Sequence, residues 1–352
     1  MINQLTKLLN IKYPILQGPL GGGLSSAKLV AAVSNTGGLG GYGAYQLEPE
    51  QIRDIVKEIR ILTDKPFNIN LWVNDVDEKQ EANCDNQFIK VVELFKPYFA
   101  ELGIPLPQKP VLSHTKFEKQ ADILLSCKPA VFSFVFGIPS VKILKEFRKQ
   151  RIKIIGTATT LDEACALEEA NVDIIVASGF EAGGHRPSFL KPPENSLHGT
   201  FSLIQQLSSK IKKPIIAAGG IVDTKGINAS FALGAVGVQI GTAFLACNES
   251  GASDEYRNVL FSGKARYTTL TKAFTGRLAR GTSGIISENH NCFGDILPFP
   301  LQTKFMSPLR EAAIKQDKIR MLTFWAGQNA SLIKHRSVKS LMNELTSASV
   351  FC

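Results

Sequence analysis

Eight short apolar runs, separated by stretches with helical periodicity, limit what this chain can fold into more than any other feature. They occupy residues 13–19, 39–44, 66–73, 130–137, 153–158, 172–177, 214–220 and 236–242. Runs such as Val172-Asp173-Ile174-Ile175-Val176-Ala177 and Pro214-Ile215-Ile216-Ala217-Ala218 read as buried strands. The intervening segments read as helices. One covers residues 27–34; another opens at Pro49 with apolar spacing at Ile52, Ile55, Val56 and Ile59; others follow at 117–127, from Ser140, and at 161–170, 201–211 and 227–233. This alternation predicts parallel β-α units, and the count of eight favours a closed (β/α)8 TIM barrel. A doubly wound sheet is the alternative. Against it, no Gly-x-Gly-x-x-Gly opens a helix with an acidic residue on the following strand.

The predicted barrel spans residues 1–245, with a polar insertion after the third strand at about 74–110 that carries a helix near 87–99. Beyond Leu245 the rhythm stops. Residues 246–352 are expected to form an appendage packed on the barrel, with an aromatic, proline-rich stretch at Leu297-Pro298-Phe299-Pro300-Leu301 and a helical end from Lys315 to Leu345. No apolar run reaches the ~18 residues that cross a bilayer, so no membrane association is expected. The N-terminal stretch lacks a signal-peptide core. The six cysteines are scattered without a Cys-x-x-Cys pair, so no metal site or disulfide framework is expected, and a cytoplasmic setting fits. The net charge of +9 is dispersed, and its densest run, 142–153, reads as the wet face of a helix. Nucleic acid is not an expected partner.

The sixth strand leads into Gly179-Phe180-Glu181-Ala182-Gly183-Gly184-His185-Arg186. Histidine titrates near neutrality, so His185 is the candidate general base; the plainer reading is a flexible loop with an incidental histidine. Active sites of such barrels lie at the C-terminal ends of the strands. There Gly219-Gly220 ends the seventh strand and Gly241-Thr242 the eighth, a pairing suited to cradling a phosphate. Asn68 and Asn70 alternate with apolar neighbours and share a face, and Gln239 interrupts strand eight. Buried amides need partners, which a planar heteroaromatic ligand would supply. The glycines in 18–23 and 37–43 are expected to leave room for a flat ring over the barrel mouth. Together these features point to a phosphorylated flavin, FMN.

Several segments carry a family resemblance: Ile15-Leu16-Gln17-Gly18-Pro19, Asp64-Lys65-Pro66-Phe67-Asn68-Ile69-Asn70, Glu181-Ala182-Gly183-Gly184-His185-Arg186, Ala217-Ala218-Gly219-Gly220-Ile221, Gly237-Val238-Gln239-Ile240-Gly241-Thr242 and Phe324-Trp325-Ala326-Gly327-Gln328. As a set they resemble the nitronate monooxygenases. Gly-Gly-His alone is shared with flavin-dependent enoyl-acyl-carrier-protein reductases. The resemblance implies an FMN-containing TIM barrel, a monomer or homodimer, that oxidises alkyl nitronates such as propionate 3-nitronate with O2 to a carbonyl compound and nitrite, through a flavin semiquinone. It implies His185 as catalytic base. The implied FMN-binding set is Asn70, Gly183, Gly219, Gly220, Gln239, Ile240, Gly241 and Thr242, with Pro19, Leu20 and Gly21 beside the isoalloxazine and Ser178 where the family usually has Gln. Leu20 and Phe299 also depart from the family's usual Met and Tyr. The alternatives are NAD(P)H-dependent enoyl reduction and a non-catalytic FMN-binding protein.

Overall fold

A computed structural model of the chain describes residues 3–73, 84–110, 117–290 and 296–351. Its strands are β1 (Ile15–Gln17), β2 (Gly40–Gly43), β3 (Phe67–Trp72), β4 (Val131–Val135), β5 (Lys153–Ala158), β6 (Ile174–Ser178), β7 (Gly184–His185), β8 (Ile215–Ala218), β9 (Gly237–Ile240), β10 (Thr268–Thr271) and β11 (Ala279–Thr282). Eight of them pair in parallel in the order β1-β9-β8-β6-β5-β4-β3-β2. The two ends of this sheet meet through parallel bridges, Leu16 to Leu39 and Leu20 to Tyr42. The Leu39 N–H donates to the Ile15 carbonyl and the Gln17 N–H to the Leu39 carbonyl, each at 2.9 Å, so the sheet closes into the predicted (β/α)8 barrel.

The period of two along each strand sorts the barrel's contents. Outward positions such as Ile69, Phe132, Ile154, Ile175, Ile215, Val238 and Ile240 pack under the helices. Inward positions Leu16, Leu39, Val131, Ile155, Ile174, Val176 and Ile216 form a separate inner core, and Leu5 and Leu9 of the helix Gln4–Leu9 plug its N-terminal end. Toward the C-terminal end the inward positions turn polar: Asn70, Ser133, Thr157, Ser178 and Gln239. The core therefore stops one layer short and leaves an open mouth. The predicted insertion helix runs from Asp85 to Glu101; residues 74–83 lie outside the described set.

Gly18, Gly21 and Gly22 border the open mouth, as expected of the first glycine cluster, but the glycines of β2 serve a different purpose from the expected one. A Cβ on Gly40 would lie 2.1 Å from the Val30 carbonyl oxygen, one on Gly41 2.7 Å from that of Gln17, and one on Gly43 2.8 Å from the Gly21 nitrogen. They are small so that β1, β2 and the helix Ala27–Asn35 can approach, not to make room for a ring.

Past Leu245 the chain builds a second core, with Leu245, Phe305, Leu309 and Phe324 packed against Phe95 and Phe99 of the insertion helix. The helical end predicted for 315–345 needs correction. A helix occupies Leu301–Lys315, and regular helix returns only at Val338–Leu345. Between them the chain passes a left-handed Asp317 and runs extended beside β11, where the Thr282 N–H donates to the Phe324 carbonyl at 2.9 Å and Trp325 bridges Gly281. Strands β10 and β11 were not anticipated either, because Thr268-Thr269-Leu270-Thr271 and Ala279-Arg280-Gly281-Thr282 carry no apolar alternation. They form an antiparallel sheet with β7.

Candidate active site

The mouth of the barrel opens into a cavity of about 310 Å³. Eleven of the twelve sequence-predicted cofactor residues line it: Pro19, Leu20, Gly21, Asn70, Ser178, Gly183, Gly219, Gly220, Gln239, Gly241 and Thr242. Ile240 does not, because its side chain belongs to the outer core and its carbonyl accepts the Gly18 N–H at 2.8 Å. His185 lines the same cavity.

The floor is the polar inward layer. The Asn68 and Asn70 amides both donate to the Ser133 hydroxyl oxygen, at 2.8 and 2.9 Å, so part of this amide set is satisfied across β3 and β4. That bonding leaves the Asn70 side-chain oxygen and the Ser133 hydroxyl proton uncommitted among the described residues, and both residues line the cavity. The Gln239 amide makes no hydrogen bond among the described residues and opens onto the cavity. Amide and hydroxyl groups held around this polar floor fit the carbonyls and N–H of a flavin ring. At one side Gly219 and Gly220 adopt φ of 116° and 70°, turning backbone N–H groups in a way side-chain-bearing residues rarely allow. Gly241, Thr242 and, from the tail, Gly327 and Asn329 complete this corner, with the Gly327 N–H donating to the Thr242 hydroxyl at 3.0 Å. The donor set fits a phosphate. The nearby helix Thr200–Ser208 does not contribute its end, since the Glu181 carboxylate already accepts the Thr200 N–H at 2.9 Å and its hydroxyl at 2.8 Å.

Gly183 lines the cavity, but a close contact fixes its size: a Cβ there would stand 2.6 Å from both the Ala326 carbonyl carbon and the Gly327 nitrogen. The tail therefore packs directly on the loop that carries His185.

That loop is a strap, not a free surface turn. His185 and Gly184 form β7 and pair antiparallel with Ala279 and Arg280 of β11, and the Arg186 N–H donates to the Leu278 carbonyl at 2.8 Å. The imidazole is walled by aromatic rings, with centroids of Trp72 at 5.3 Å, Trp325 at 5.4 Å and Phe299 at 6.1 Å. Trp72 stacks on Tyr45 at 3.6 Å. Nε2 lies 3.0 Å from the Thr275 hydroxyl. The Arg277 guanidinium rests on Phe136 and Phe299, 3.9 and 4.6 Å from their centroids. Burial, and secondarily this cation, pull the His185 pKa down to about 3, so the ring is neutral at physiological pH.

Sequence reasoning missed several lining residues. Trp72, Ser133 and Thr157 were findable, since each lies on the inward face near the end of its strand. Thr275, Thr303 and Arg310 come from the appendage, and nothing local marks them; Trp325, also from the appendage, sits in a segment that carries the resemblance but was not assigned to the site. Arg310 makes no hydrogen bond or ion pair among the described residues and faces the cavity. Among the histidines proposed as structural, His290 bonds Tyr98 at 2.9 Å and His335 bonds Ser340 at 2.6 Å, while His198 has a buried Nδ1 without a partner; His114 lies outside the described residues. No group of three His, Cys, Asp or Glu among the described residues could hold a metal, and no described helix is long and apolar enough to cross a membrane.

A polar floor, a glycine-built corner and a walled imidazole share the C-terminal mouth of a (β/α)8 barrel, where enzymes of this fold place their active sites, and the family the chain matches makes it a flavin-dependent oxidoreductase. The family model for nitronate monooxygenase matches residues 3–348. The chain is 39% identical over 345 residues to a probable nitronate monooxygenase of Staphylococcus aureus (strain Newman), covering 97% of this chain and 96% of that one. It is similar in structure to nitroalkane oxidase from Streptomyces ansochromogenes, with a TM-score of 0.89, 30% identity and coverage of 99% and 98%. FabK from Thermotoga maritima follows at a TM-score of 0.75, 28% identity and coverage of 99% and 96%. The chain belongs to the nitronate monooxygenase family, whose flavin-dependent members oxidise nitro compounds.

Proposed function

We propose that this enzyme binds FMN and oxidises alkyl nitronates with O2 to a carbonyl compound and nitrite, with His185 as the base when a neutral nitroalkane is offered. The observation that carries the reading is the placement of His185: a neutral imidazole shares one cavity with a floor and corner suited to a phosphorylated flavin. Pro19, Leu20 and Gly21 would border the ring, Asn70, Ser178 and Gln239 would face its polar edge, and Gly183, Gly219, Gly220, Gly241 and Thr242 would hold the ribityl phosphate. When bound, FMN supplies an electron acceptor for the nitronate and an electron donor for O2. The chain's own residues bind, orient and shield. Tyr45, Trp72, Phe136, Phe299 and Trp325 keep water from the reacting carbon. Arg310 offers a cation to a second anionic group on the substrate, such as the carboxylate of propionate 3-nitronate.

The low pKa of His185 favours substrates that arrive already deprotonated. An imidazole that resists protonation is a weak base toward a nitroalkane, and a nitronate needs none.

The likeness to FabK motivates a second reading, NAD(P)H-dependent reduction on the same flavin. One experiment separates the two. The purified protein should show flavin absorbance that bleaches anaerobically with propionate 3-nitronate and not with NAD(P)H. Rapid bleaching by NAD(P)H alone would replace the oxidase reading with the reductase, and a colourless protein that takes up no FMN would end both.

A further inference from the structure

We propose that Thr275 fixes His185 as the tautomer protonated at Nε2, so that Nδ1 is the atom that accepts the substrate's α-proton. The inference rests on the reading of His185 as a base. Thr275 is buried in the turn between β10 and β11 and reaches the cavity. Its Oγ1 has three neighbours at hydrogen-bonding distance: His185 Nε2 at 3.0 Å, the Arg277 carbonyl oxygen at 3.1 Å and the Arg277 N–H at 3.4 Å.

A hydroxyl has one proton to give and two lone pairs to receive with. The Arg277 carbonyl can only accept, so the contact at 3.1 Å is attractive only if the Thr275 proton lies in it. Oγ1 is then an acceptor toward its other two neighbours, and Nε2 must carry a hydrogen. In a neutral imidazole that leaves the lone pair on Nδ1. The reverse arrangement, with the hydroxyl donating to Nε2, sets two acceptor oxygens against each other and places the proton on Nδ1, where the ring could donate but not accept. Burial and the Arg277 guanidinium disfavour a doubly protonated ring in the resting enzyme, so one nitrogen is left bare, and the Thr275 contacts decide which.

The arrangement also survives the chemistry. When a neutral nitroalkane loses its α-proton to Nδ1, the C–H electron pair becomes part of the C=N bond of the nitronate. The ring becomes imidazolium with N–H at both nitrogens. Nε2 donates to Thr275 before and after, so the hydroxyl need not turn during proton transfer.

The test is nitrogen NMR of the FMN-loaded enzyme with 15N-labelled histidine, together with kinetics of two variants. The expected spectrum assigns a protonated Nε2 and an unprotonated Nδ1 to His185; a protonated Nδ1 overturns the proposal. Thr275→Val should lower kcat/KM for neutral nitroethane by roughly tenfold or more beyond its effect on ethyl nitronate, which requires no proton transfer. Thr275→Ser should restore the ratio. Equal losses on both substrates would mean that Thr275 only supports the fold. A wild-type enzyme that neither turns over nitroethane nor exchanges its α-protons with D2O would defeat the base reading itself, and the NMR result would still decide the tautomer.

Discussion

Arg186, the residue after the candidate base, has almost no access to solvent at 2% exposure and forms no direct ion pair among the described residues. Its guanidinium is spent on carbonyls: Nη1 donates to Ser178 O at 3.1 Å and Gly179 O at 2.6 Å, and Nη2 to Ser196 O at 3.1 Å. It thereby ties the end of β6 to both arms of the loop that carries His185. Replacing it with Met keeps most of the volume and removes all three bonds. Hydrogen bonds to a charged group are worth about 1.5–3 kcal/mol each. Gly179 O keeps a second donor in the Ala182 N–H at 3.1 Å, so two bonds carry most of the loss. The carboxylates of Glu163 and Glu181, which hold the Arg186 charge in place electrostatically, lose their buried cation as well. The expected destabilisation is about 3–5 kcal/mol, a large share of the 5–15 kcal/mol typical of a folded domain. Urea unfolding of wild type and Arg186→Met measures it, with flavin content after gel filtration as the second readout. Arg186→Lys should fall only part of the way back toward wild type, because one ammonium cannot span three carbonyls as a planar fork does. A loss under about 1 kcal/mol in the Met variant with flavin retained would show that the guanidinium does not hold the loop.

Three further outcomes follow from the same geometry. The folded-state pKa of His185 lies near 3 and an unfolded histidine titrates near 6.5, so between these values the unfolded chain binds the extra proton and stability rises with pH. Urea midpoints at pH 7 and pH 5 should therefore drop more in wild type than in His185→Asn, and parallel drops would mean that the ring titrates normally. Gly183→Ala places a methyl 2.6 Å from the backbone of Ala326 and Gly327, and should cost about 1–3 kcal/mol and release flavin, read by thermal melts with and without added FMN; an unchanged melt would mean that the tail yields freely. Arg310→Met should raise KM for propionate 3-nitronate about tenfold or more and leave ethyl nitronate within about twofold, the span expected for one charge-assisted contact, and equal shifts would remove Arg310 from substrate recognition.

What the sequence disclosed, and what it hid, divides along a physical line. The barrel was legible because a parallel strand buried on both faces leaves an apolar run, and each such run is followed by a helix with its own period. The floor was legible for the same reason inverted: Asn70 and Gln239 stand out against those runs. The glycines of β2 were visible but misread, because Gly41 and Gly43 look the same in sequence whether they admit a ligand or a neighbouring strand. Most of the wall around His185 was hidden; only Phe299 and Trp325 fall in segments that the family resemblance marked. Thr275, Arg277, Phe299, Arg310 and Trp325 lie at least 90 positions downstream of the imidazole, in the turn between β10 and β11, a proline-rich connection, a helix face and an extended tail with no periodic signature.

The two arginines near the ligand space divide the electrostatic task. Arg277 is laid on the aromatic rings and raises the cost of protonating His185, while Arg310 lines the cavity where a second anionic group of the substrate would meet it. A neutral ring beside a net positive wall attracts an anion without committing the base. A nitronate is that anion, and a neutral nitroalkane gains nothing from the Arg277 guanidinium until it has lost its proton. The preference for preformed nitronate therefore does not depend on shape. It should persist in variants that enlarge the aromatic wall, such as Phe299→Ala, and weaken when the charge at 277 is removed. In Arg277→Met, the ratio of kcat/KM for ethyl nitronate to that for nitroethane should fall, from both sides: the anion loses attraction and His185, freed of the cation, becomes a stronger base. A ratio that moves with Phe299→Ala and stays fixed in Arg277→Met would locate the selectivity in packing and refute the electrostatic account.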